Sequence, residues 1–117
     1  MRVMIAVLLA LTASQAVADE VDDAHRQALR GRDDYWNCLA REYQRNDAKA
    51  VSAQDFRADI AGACPSERQN FRVSLLDYLD QKFPDAADGE HLTTANRAIE
   101  LAQQDIITAF VRHKAAN

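Results

Sequence analysis

Cys38 and Cys64 are the two residues of this chain best suited to chemistry, and they are its only cysteines. Two thiols can form a structural disulfide, a redox couple or part of a metal site. No Cys-x-x-Cys motif occurs and no histidine lies near either cysteine in sequence, so a structural disulfide is the favoured reading. Helix geometry supports it. The polar stretch from Asn46 to Val51 is a natural turn between two helices. Cys38 lies about 15 Å up the first helix from that turn, and Cys64 about 18 Å up the second. In an antiparallel hairpin the two thiols then meet at nearly the same height. Closing a loop of roughly 26 residues removes about 3.5 kcal/mol of chain entropy from the unfolded state.

The remaining polar groups form no recognisable constellation. The histidines are His25, His91 and His113. His91 precedes the last helix and His113 ends it, roughly 30 Å apart, and no His-x-x-x-His pair exists. The segment from Asp85 to Glu90 superficially resembles a calcium loop. With Gly89 as the sixth position, however, Pro84 and Ala86 fall where carboxylates are required. The pairs Asp22-Asp23 and Asp33-Asp34 read as helix starts. Ser52, Ser66 and Ser74 have no histidine in a motif context, so nucleophilic catalysis has no basis. The expectation is a protein that is not an enzyme, with no catalytic, cofactor-binding or metal site and no cofactor. Tyr35-Trp36, beside Cys38, is the densest aromatic spot; it either packs on the disulfide or offers a patch to a partner.

These residues need elements to hold them. The chain of 117 residues opens with Met1-Arg2, an apolar run from Val3 to Leu11, and Ala16-Val17-Ala18. That pattern predicts a secretory signal peptide, residues 1–18, cut after Ala18. The run is too short to span a bilayer comfortably. A single helical domain over 19–117 is predicted to follow, in the periplasm and with no stable membrane insertion. Its 13 basic and 18 acidic residues give a net charge of −5. A mildly acidic chain has no electrostatic reason to bind nucleic acid or anionic lipid. Three glycines and two prolines leave few turns, which favours long helices.

Three helices are predicted. Acidic Asp19 to Asp23 opens the first, in which Val21, His25, Ala28 or Leu29, Arg32, Trp36, Leu39 and Tyr43 keep helical spacing. Gly31 predicts either a kink or two pieces. Ser52 with Asp55 resembles a capping box that starts the second helix. Phe56, Ile60, Cys64, Glu67, Phe71, Leu75 and Tyr78 hold one phase to about Gln81–Phe83, straight across Pro65. Either the helix kinks at Pro65 or it ends at Cys64 and restarts; the unbroken phase favours the kink. Pro84 to Glu90 is a loop. The last helix starts near Thr93 or Thr94 and carries the stripe Leu92, Ala95, Ile99, Ala102, Ile106 and Ala109 or Phe110.

Around the cysteines, Tyr35, Trp36, Cys38, Leu39, Ala63, Cys64 and Glu67 resemble a family of uncharacterised small exported proteins of proteobacteria. Those are helical and carry a single disulfide, and the resemblance implies a fold and a compartment but no activity. The chain is also similar to periplasmic acid-stress chaperones in Trp36-Asn37-Cys38 and in Ala63-Cys64 with Asn70-Phe71. It departs from them in its closer cysteines and its further long helix. The expectation is an all-α, antiparallel three-helix bundle with one disulfide. Its function is to bind other proteins, chaperone-like or stress-related, the alternative being an accessory subunit of an envelope enzyme or transporter. Tyr35, Trp36, Leu92, Ile99, Ile106 and Phe110 are the candidate partner surface, and the partner and oligomeric state are unknown.

Overall fold

The computed structural model describes residues 2–116, with side chains from residue 16 onward. The described residues form four helices and no strand: α1 (Arg2–Arg45), α2 (Ala53–Gly62), α3 (Pro65–Lys82) and α4 (Glu90–Ala116). The long dimension, 76 Å against 26 and 23 Å across, follows from the 44-residue α1. The proposed leader and its cleavage point are continuous with α1, so Asp19 to Asp23 lies within that helix and not at its start.

Gly31 does not interrupt α1. It is buried where α1 crosses α3, with Phe71 and Ser74 directly above it. The buried face of α1 is Ala24, Ala28, Gly31, Tyr35 and Leu39. The expected stripe holds at Ala28 and Leu39 but is out of phase by one residue at His25, Arg32 and Trp36: Ala24, Gly31 and Tyr35 are buried instead, with His25 and Arg32 exposed and Trp36 only half-buried. Small residues let the two backbones approach closely, so the phase follows side-chain size as much as hydrophobicity.

Ser52 caps α2, its hydroxyl accepting from the Asp55 N–H at 3.1 Å. The helix then ends at Gly62, and Cys64 adopts a left-handed conformation at φ 55° with Pro65 at the first turn of α3. The kink favoured on the apolar phase is thus replaced by a break. Proline has no N–H to give the carbonyl of Ala61. That oxygen accepts instead from the Arg68 guanidinium at 2.6 Å, so the broken ladder finds a side-chain donor. The expected three-helix bundle therefore has four helices, its second arm being split in two.

The order of contacts fixes the topology. Following α1 back from Cys38 through Gly31 to His25 meets α3 at Cys64, then Phe71 and Ser74, then Tyr78. The two helices are antiparallel, and α1 lies mainly along α3. This corrects the hairpin expected between α1 and the helix directly after the turn. Helix α4 returns antiparallel to α3, through Arg72–Asn96 and Asp80–His91, and parallel to α1, through Tyr35–Gln103 and Tyr43–Phe110. Helix α2 packs on α4, where Phe56 and Phe110 stack at 4.0 Å with Tyr43 edge-on to both. Each such buried ring contributes about 1.5–3 kcal/mol from burial alone. Among the described residues the core contains no charged or polar side chain.

Candidate functional site

The sulfur pair is built by two elements. Cys38 sits on α1, and Cys64 caps the amino end of α3, with 6.1 Å between the Cα atoms and a Cys38–Cys64 disulfide formed. The pairing agrees with the expectation from sequence; the geometry behind it does not, because Cys64 stands at a helix junction and not partway along a helix. Glu67 lies in the first turn of α3. Its carboxylate and the two sulfurs all lie within 4.8 Å of one another. Cys64 is buried, whereas Cys38 and Glu67 are half-buried and reach the surface. Trp36, half-buried, packs against the hydrophobic core to which Cys64 belongs.

The six residues proposed as a partner surface divide in two. Tyr35, Ile99, Ile106 and Phe110 are core in the folded chain; Leu92 is 46 % exposed and Trp36 half-buried. The Tyr35 hydroxyl accepts from the Gln103 side-chain amide at 3.0 Å, so even its polar tip is engaged. In the folded state the stripe on α4 therefore faces inward, and a partner reaches it only if α4 moves. Ile107, absent from the expected stripe, is buried as well. Two adjacent isoleucines both bury because α4 is covered on more than one side, by α1, α2 and α3.

A second place was not anticipated. At the α3–α4 loop the His91 ring meets Asp80, Nδ1 to Oδ1 at 2.6 Å, while its Nε2 is buried with no hydrogen-bond partner. The loop and the two helix ends enclose a cleft of about 560 Å³ lined by Leu79, Phe83, Pro84, Ala86 and His91 among others. Phe83 is 52 % exposed there. In sequence Asp80 and His91 are eleven residues apart across a loop, so nothing local signals their contact. His25, by contrast, rests its ring on Tyr78 at 4.8 Å, bridging α1 and α3.

Other polar contacts serve the fold. Lys114 donates to the carbonyl oxygens of Ala48 and Val51 at 2.8 and 3.1 Å, tying the end of α4 to the α1–α2 turn. Arg72 donates to Asn96 across α3 and α4 at 3.0 Å. No helix among the described residues is long and apolar enough to cross a membrane. Comparison of the chain with protein-family models, with characterised proteins and with solved structures finds no match.

Proposed function

We propose that the protein is a non-enzymatic, exported helical protein of the periplasm that binds other proteins, acting as an acid-responsive holdase. The observation that carries this reading is the position of α4. It supplies six of the buried residues, Ala95, Ile99, Ala102, Ile106, Ile107 and Phe110, yet lies wholly outside the loop closed by Cys38 and Cys64. Its apolar face can be uncovered while α1 and α3 stay stapled. Acid supplies the force. Protonating every carboxylate takes the chain from Asp19 onward from −5 to +16, counting 13 Lys and Arg and three His, and such self-repulsion loosens a small domain.

The test is aggregation of acid-denatured periplasmic proteins at about pH 2–3 and at neutral pH. The expected result is suppression by equimolar protein in acid only. No suppression in acid removes the holdase reading and leaves the accessory-subunit one, which the exposed Phe83 and Leu92, each lining a cleft at the α3–α4 loop, support. Export itself is tested by N-terminal sequencing of protein recovered from the periplasm. The expected first residue is Asp19; Met1 would replace the cleaved leader with an uncleaved anchor.

A further inference from the structure

The geometry points to a second use for the sulfur pair: in its reduced form the chain holds one thiophilic divalent cation, of the zinc class, between Cys38, Cys64 and Glu67. Sequence spacing offered two thiols and no third ligand. The fold adds the third. Pro65 starts α3 immediately after Cys64, which places Glu67 in the first turn with its carboxylate over the sulfurs. All three donor atoms lie within 4.8 Å of one another, about 1 Å beyond the donor spacing of a tetrahedral ion and within reach of side-chain rotation. A tetrahedral ion with metal–sulfur bonds of about 2.3 Å needs its sulfurs ~3.7 Å apart. Thiols on Cα atoms 6.1 Å apart reach that spacing by side-chain rotation without moving either helix.

The donor set selects the metal. Two thiolates and one carboxylate suit zinc and its soft neighbours, whereas calcium and magnesium take oxygen ligands throughout. Three protein ligands leave a fourth position for water, and the half-buried Cys38 and Glu67 give the ion a way in from solvent. Disulfide and metal exclude each other. Reduction by a dithiol breaks the sulfur–sulfur bond, two electrons and two protons passing to the cysteines as the dithiol becomes a disulfide. The cation then displaces the two thiol protons into solvent and forms two metal–sulfur bonds. Cys38 and Cys64 therefore staple α1 to α3 in either redox state, directly when oxidised and through the cation, with Glu67, when reduced.

The experiment uses the whole chain, reduced by a phosphine without oxygen and titrated with Co²⁺, a coloured substitute for zinc. The expected result is one equivalent bound, with a sulfur-to-cobalt charge-transfer band and tetrahedral visible bands that Zn²⁺ abolishes. The oxidised chain should give no band, and Cys38→Ser should lose it. Glu67→Gln should weaken Co²⁺ binding tenfold or more, since even residues behind the ligands cost about 10–100-fold when changed. An unaltered melting temperature of oxidised Glu67→Gln shows that its fold is intact. The absence of the band in the reduced wild-type chain overturns the inference. So does equal Co²⁺ affinity for wild type and Glu67→Gln, which would reduce the site to two loose thiols.

Discussion

Gly31 and Gly62 both lie in helices, and alanine at each should change stability in opposite directions. At Gly62 an added Cβ meets nothing within 4 Å. Only the backbone benefit remains, so Gly62→Ala should stabilise by about 0.5–1 kcal/mol. At Gly31 the same atom would stand 2.7 Å from the Ser74 hydroxyl oxygen and 3.0 Å from the Phe71 Cα. The hydroxyl can rotate, but the Phe71 backbone belongs to α3. The Cys38–Cys64 bond on the same two helices limits how far they can part. Overpacking of this kind costs roughly 1–3 kcal/mol, against about 1 kcal/mol gained in helix propensity. The net expectation for Gly31→Ala is a loss of about 1 kcal/mol, or ~4–8 °C in Tm for a domain near 100 residues. Thermal and urea unfolding of both variants under oxidising conditions measure the pair. If Gly31→Ala stabilises as much as Gly62→Ala, α1 and α3 do not approach closely at this crossing, and the antiparallel pairing built on it fails.

Two further predictions concern the staple and the aromatic stack. Reduction should lower stability by about 3.5 kcal/mol in metal-free buffer, read as a fall in Tm between non-reduced and reduced protein; two free thiols in the mass of the non-reduced chain would refute the bond. Phe110→Ala removes a ring stacked on Phe56 at the α2–α4 contact and should cost about 3–5 kcal/mol in urea unfolding. A cost below 1 kcal/mol would mean that α4 does not seat there.

Much of the fold was legible because apolar spacing and capping agree along most of the chain. Ser52, the turn after Asn46 and the start of the loop after Phe83 fall where local chemistry puts them, but α4 begins at Glu90 and not near Thr93 or Thr94. Three features were not legible, for different physical reasons. In α1, large residues at positions 32 and 36 suggested one phase, but small ones, Ala24, Ala28 and Gly31, allow the close approach that sets the other. At Pro65, Phe56 and Ile60 before the break and Phe71 after it bury in one core, so the pattern runs on through a junction where the backbone does not. The Asp80–His91 contact and the cleft beside it depend on how a loop folds back, which residue spacing does not encode.

The disulfide loop also decides how α4 would leave in acid. Two kinds of contact hold that helix. Near its amino end Asp80 faces His91 and Arg72 donates to Asn96; near its carboxyl end Lys114 donates to two backbone carbonyls in the α1–α2 turn. A lysine bonded to backbone carbonyls keeps both its charge and its acceptors in acid. Ala48 and Val51 lie inside the disulfide loop, so the anchor of Lys114 is itself held by the staple. With its carboxyl end held by Lys114 and by the Phe56–Phe110 stack, α4 should open in acid from the Glu90 end while Phe110 and Lys114 stay seated. Hydrogen exchange at about pH 3 reads the order directly: amides around Ala95 and Ile99 should lose protection before those around Ile107 and Phe110. The reverse order would mean that the carboxyl-terminal anchor does not hold and that α4 detaches from the other end.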